Sequence, residues 1–194
     1  MIKSLGPKKF NTAVFISGAG SNLQNLIKFS LLRRSPIKII FVLSSNSMAK
    51  GINFAKKYKI KFKAYNFKKH YKDEVKILQY LNKRNINLIC LAGFMKILSK
   101  NFIKKFNGKI LNIHPSLLPK YKGLNTHERA IKNNEKFSGC TVHLVNSKLD
   151  SGKIILKKKV KINKNDTPKK LSKKILKQEH ILYPRAIRKL LTNP

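Results

Sequence analysis

Short apolar, β-branched runs alternate along this chain with stretches of helical period, and that rhythm leaves few architectures open. Thr12–Ser17 (TAVFIS) reads as a buried strand, followed by a Gly-Ala-Gly-Ser-Asn turn and a helix from about Leu23 to Leu32. Ile37–Leu43 reads as a second strand and about Ala49–Tyr58 as a second helix. An extended piece near Phe62–Tyr65 precedes a helix near Tyr71–Lys83, where Val75, Leu78 and Leu81 recur at helical spacing. Leu88–Ala92 and Ile110–His114 are further strands, the latter stopped by Pro115. Such alternation builds βαβ units and therefore a mostly parallel, twisted sheet with helices on both faces. Beyond Pro119 the pattern changes. Cys140–Val145 and Lys153–Val160 form a C-terminal antiparallel hairpin, and Thr167-Pro168 caps a last helix that Pro184 is expected to interrupt. At 194 residues the chain suffices for one α/β domain over 11–194, with 1–10 as an N-terminal extension, and needs no disulfide or metal staple.

Lysine and arginine number 44 against 7 acids, a net charge of +37. The basic residues are spread over the whole chain and only six are arginine, the better bidentate reader of phosphate. Lys, Asn, Ile, Phe and Tyr are high together, as AT-rich codons would produce. No specific nucleic-acid partner is expected, although such a surface steers small anions. No apolar run is long enough to span a bilayer, the first ten residues lack the apolar segment of a secretory signal, and no membrane partner is expected. Cys90 and Cys140 sit in apolar surroundings and read as reduced core residues of a cytoplasmic protein. The histidines (70, 114, 127, 143, 180) show no metal-binding spacing.

Gly18-Ala19-Gly20-Ser21-Asn22 joins the first strand to the first helix, where free N–H groups and the helix dipole suit a phosphate. An ordinary capped glycine turn fits equally well. A dinucleotide fingerprint is not met: Leu23 stands where a third glycine belongs, and no acid occurs before Asp73. Asn112 and His114, two apart on a strand, project to one face at the carboxyl edge of the sheet, where open α/β folds place ligands. An amide and an imidazolium there can donate to an oxygen that turns negative as a carbonyl is attacked, and the ring can pass a proton to a leaving nitrogen. That is acyl transfer without a covalent enzyme intermediate. A nearby carboxylate would keep the ring charged, and Asp150 in Leu149-Asp150-Ser151-Gly152 is the candidate, its alternative being a turn aspartate. Neither Ser116 nor Cys140 stands in a nucleophile elbow.

The run Leu111–Gly123 (LNIHPSLLPKYKG) resembles the signature of the folate-dependent formyltransferases. So do Ile16–Gln24, Leu91–Ser99, Gly139–His143, Leu149–Gly152 and Gln178–His180, all in the family's order between about Thr12 and Pro184. The resemblance implies a Rossmann-like domain and transfer of a formyl group from 10-formyltetrahydrofolate, a co-substrate, to the amine of glycinamide ribonucleotide in purine synthesis, with no metal. It implies Asn112 as the catalytic amide, His114 as general acid and Asp150 as the carboxylate that raises the histidine pKa. It assigns Ser21, Asn22 and Leu23, with Leu176, Lys177, Gln178 and Glu179, to the ribonucleotide. It assigns Lys68, Met95, Lys96, Ile97, Leu98, Asn112 and the loop Asn146, Ser147, Lys148, Leu149, Asp150 to the folate. The expected assembly is a monomer or homodimer. Family members acting on initiator tRNA carry a further C-terminal domain, and only a few dozen residues follow the hairpin here. Ala19 and Asn125 depart from the family's usual residues, Asn or Ser at the first and His at the second.

Overall fold

A computed structural model of the chain describes residues 9–65 and 70–192, with side chains described for all of these except 70 and 71. Seven strands form one sheet in the order β3-β2-β1-β4-β5-β6-β7. β1 (Phe10–Ile16), β2 (Ile37–Ser44), β3 (Lys61–Ala64), β4 (Leu88–Leu91) and β5 (Lys109–His114) run parallel. β6 (Phe137–Leu144) and β7 (Ile154–Lys161) run antiparallel to their neighbours. The sheet is the mostly parallel, Rossmann-like one expected, ending in the C-terminal hairpin.

Alternation along β1 explains why both faces are covered. Val14 and Ile16 point into one core with Leu23, Leu26, Tyr183 and Ile187, while Ala13 and Phe15 point into the other with Ile77, Leu81 and Phe102. α1 (Ser21–Leu31), α2 (Ile52–Lys57), α5 (Thr126–Lys132) and α6 (Pro168–Thr192) cover the first face; α3 (His70–Lys83) and α4 (Lys100–Lys105) cover the second. Strand order reverses between β1 and β4, so their carboxyl ends flank a crevice of the kind in which open α/β sheets bind ligands.

Several boundaries differ from expectation. β1 starts at Phe10, paired with Ile37, inside the segment expected to be an extension; residues 1–8 lie outside the described ones. α4 and α5 were not anticipated. α6 is not interrupted at Pro184 but runs through it for 25 residues. Proline removes the N–H that would bond the carbonyl four residues earlier, and that carbonyl, on His180, accepts Asn25 Nδ2–H of α1 at 2.6 Å instead. Tyr183, Ala186 and Ile187 are wholly buried on either side of the proline, so tertiary packing outweighs the local break. Cys90 and Cys140 are buried free thiols, pushed up to about 12 by burial, which leaves Cys140 a poor nucleophile. No helix among the described residues is long and apolar enough to cross a membrane.

Candidate active site

A cleft of about 770 Å³ opens over the carboxyl edge of β4 and β5, within the size range of small-molecule sites. β5 supplies Asn112 and His114 to it, and the strand ends there because Pro115 cannot continue the ladder. Asp150 arrives from the β6–β7 connection with φ 45°, a left-handed geometry that aspartate tolerates better than most residues. Its Oδ2 accepts the Gly123 N–H at 2.9 Å and lies 3.5 Å from His114 Nδ1. Its Oδ1 lies 3.4 Å from Asn112 Nδ2 and 3.6 Å from His143 Nε2. The three side chains singled out in the sequence therefore meet at one point.

Hydrogen-bond bookkeeping assigns the tautomers. His114 Nε2 is 2.8 Å from the Tyr121 carbonyl, which can only accept, so Nε2 carries a proton and Nδ1 is the nitrogen turned toward Asp150. His143 Nδ1 likewise donates to the Leu144 carbonyl at 2.8 Å, leaving Nε2 to accept from the Asn112 amide at 3.2 Å. Both contacts to Asp150 are long for hydrogen bonds, so His114 Nδ1 and one Asn112 N–H remain available to a better partner.

Electrostatics depart from expectation at one point. Burial lowers the His114 pKa; the Tyr121 carbonyl and Asp150 push it up without offsetting that penalty, and His143 and Arg129 add to the lowering. Asp150 acts in the expected direction but does not win, because the ring is almost fully enclosed. Asp150 itself is pushed up by burial, yet the contacts to His143, the Gly123 N–H and His114 hold it below the usual carboxylate range.

The other walls come from loops. Met95, Lys96, Ile97 and Leu98 line the cleft from the β4–α4 loop. That loop is pinned at one end by the Met95 N–H on Ser17 Oγ (2.7 Å). At the other end the Ser99 N–H (2.8 Å) and hydroxyl donate to buried Glu74. Asn146–Asp150 face the same space. Met95, Ile97, Leu124 and Leu149 are large apolar side chains left more than half exposed here. Such a patch suits a flat apolar ring system.

At the far end, Asn22 Nδ2 donates to Glu179 Oε2 at 2.7 Å, and burial raises the Glu179 pKa. Gly20 makes the turn before α1 possible: its φ is +76°, and a Cβ would fall 2.5 Å from the Gly51 Cα. Leu176 also lines the cleft. Leu23 does not, because its side chain is wholly in the core; what it can offer a ligand is its backbone N–H at the start of α1. Ser21 and Gln178 stand outside the lining and Lys177 is exposed. Lys68 lies outside the described residues.

Sequence reasoning missed His143, the 123–128 stretch, and Pro168, Lys169 and Ser172 of α6 as cleft residues. For His143 a signal existed: antiparallel pairing of β5 with β6 sets it directly opposite Asn112, on the same face. Among the described residues no group of three or more His, Cys, Asp or Glu side chains is disposed to hold a metal.

Comparison with known proteins agrees with this geometry. The pattern of the formyl transferase family matches residues 10–187. The phosphoribosylglycinamide formyltransferase of Haemophilus influenzae is 43% identical over 179 residues, 91% of this chain and 84% of that protein. The human trifunctional purine biosynthetic protein adenosine-3 is 42% identical over 188 residues, but this chain spans only 18% of its length. The crystal structure of phosphoribosylglycinamide formyltransferase from Brucella melitensis superposes with a TM-score of 0.90 at 39% identity, covering 96% of this chain and 98% of that one. With the match running from β1 into α6, the chain belongs to the formyl transferase family.

Proposed function

We propose that this chain transfers a formyl group from 10-formyltetrahydrofolate to the amine of glycinamide ribonucleotide, a step of purine synthesis, by direct attack through a tetrahedral adduct. The observation that carries this reading is that Asn112 and His114 both come within 3.5 Å of the Asp150 carboxylate in the cleft. The amine nitrogen forms a bond to the formyl carbon while the carbonyl electron pair moves onto oxygen. The loosely held Asn112 N–H donates to that oxygen, a preorganised donor being worth most where charge develops. Because burial lowers the His114 pKa, its resting ring is neutral near pH 7. Nδ1 takes the proton that the amine loses on attack, and the imidazolium so formed, facing Asp150, returns it to the departing folate nitrogen as the carbon–nitrogen bond breaks. No proton is gained or lost overall.

The exposed apolar group around Met95, Ile97, Leu124 and Leu149 supports a place for the folate ring. Asn22, Glu179 and the N-terminus of α1 support a place for the ribonucleotide, with Ser21 and Leu23 offering backbone N–H groups to its phosphate. Met95–Leu98 and Asn146–Leu149 wall the folate side, Lys68 is retained as a folate contact, and Leu176, Lys177 and Gln178 flank the ribonucleotide. Steady-state assay of His114→Ala tests the reading: a fall of about 100-fold or more is expected of a lost proton-transfer group. Near-normal turnover would remove His114 from the mechanism.

A further inference from the structure

The carbonyl that holds His114 Nε2 belongs to a residue anchored away from the cleft. Tyr121 has φ 56°, a left-handed conformation that a bulky residue adopts only when its surroundings impose it. Three groups do so. Its hydroxyl donates to Glu135 Oε1 at 2.8 Å and accepts from Asn133 Nδ2 at 3.0 Å. The Arg129 guanidinium lies 5.1 Å over its ring while donating to the Lys122 carbonyl at 2.7 Å. Tyr121 and Glu135 line a second cavity, about 370 Å³, that shares no lining residue with the cleft. Glu135 follows α5 and also takes Lys120 Nζ at 2.7 Å, but Lys120 is exposed and the mechanism does not use it.

We propose that Glu135 is a positioning residue: by gripping the Tyr121 hydroxyl it fixes the Tyr121 carbonyl on His114 Nε2, which sets the ring so that Nδ1 faces the substrate. This role of Glu135 rests on the role of His114 proposed above. An acceptor carbonyl held at 2.8 Å favours the charged ring and forbids its rotation. Once the carbonyl is free to drift, the ring loses that support and its angle with it. The other groups facing His114 are Asp150, His143 on β6, and His127 and Arg129 on α5; Glu135 faces Lys120 and Tyr121. Glu135 touches none of the first set, so its effect has to pass through Tyr121.

NMR titration of the His114 ring, alongside steady-state kinetics, tests this in Glu135→Ala and, should that variant not fold, in Tyr121→Phe, which removes only the hydroxyl. The expected result is a His114 titration midpoint at lower pH than in the wild type. With it, kcat should fall about three- to tenfold, the scale of one weakened hydrogen bond, and KM for both substrates should hold steady. Glu135→Gln, which keeps an acceptor for the hydroxyl, should restore both; Lys120→Ala should change neither. An unmoved His114 titration in Glu135→Ala and Tyr121→Phe overturns the positioning role while leaving the proposed reaction intact. If His114→Ala turns over normally, the reaction mechanism fails instead, whatever the titrations show.

Discussion

Replacing Asp150 by asparagine removes one charge and almost no volume. Oδ2 lies 3.5 Å from His114 Nδ1 and both side chains are only 7% exposed. With an effective dielectric of about 20, a full charge pair at that distance is worth roughly 4 to 5 kcal/mol. The neutral amide, which still offers an oxygen to the Gly123 N–H, recovers part of it. If the imidazolium forms only during the reaction, this loss falls on the transition state and not on substrate binding. At about 1.36 kcal/mol per tenfold, kcat should drop about 10²- to 10³-fold with little change in KM. The assay is steady-state formyl transfer at saturating substrates, with thermal unfolding measured in parallel to confirm an intact fold. A folded Asp150→Asn variant with kcat within tenfold of the wild type would refute the reasoning.

Other outcomes follow from individual contacts. Asn25→Ala strands the His180 carbonyl opposite Pro184 and should cost about 1 to 2 kcal/mol, the penalty of an unpaired, partly buried acceptor, read as a lower urea midpoint; an unchanged midpoint contradicts that account of α6. Burial raises the Glu179 pKa, so this group stabilises the fold relative to the unfolded chain below its unfolded value, and the benefit is lost as pH rises through the folded one. Glu179→Gln should therefore gain stability over the wild type as pH rises above the ordinary glutamate value of about 4.3; a difference independent of pH contradicts this. The His114 pKa is lowered, so its contribution is complete above the unfolded value of about 6.5 and disappears as pH falls through the folded one. His114→Gln should accordingly show a weaker stability loss than the wild type as pH drops below about 6.5, measured by thermal unfolding. Exhaustive chelation should leave activity unchanged; loss restored by zinc would contradict the proposed chemistry.

Contiguous apolar runs such as Leu88–Leu91, buried at every position, made the parallel strands legible, because a sheet covered on both faces has no polar side to alternate with. Asn112 and His114 were legible for the opposite reason: polar residues two apart at the end of such a run need a purpose. α4 and α5 were not, since six or seven residues, half of them lysine in α4, carry too little periodicity. The continuation of α6 through Pro184 depends on Asn25, 155 residues away from His180 in sequence, which no local pattern reports. The lowered His114 pKa was equally invisible. It is a balance between enclosure and one carboxylate, and enclosure is a property of the folded loops.

The most direct test is a crystal structure with glycinamide ribonucleotide and a non-transferring analogue of 10-formyltetrahydrofolate bound together. The account predicts both in the one cleft, with the carbonyl oxygen of the analogue about 3 Å from Asn112 Nδ2 and the amine within hydrogen-bond reach of His114 Nδ1. Ligands seated elsewhere, a carbonyl beyond reach of Asn112 Nδ2, or an amine beyond reach of His114 Nδ1, would contradict it.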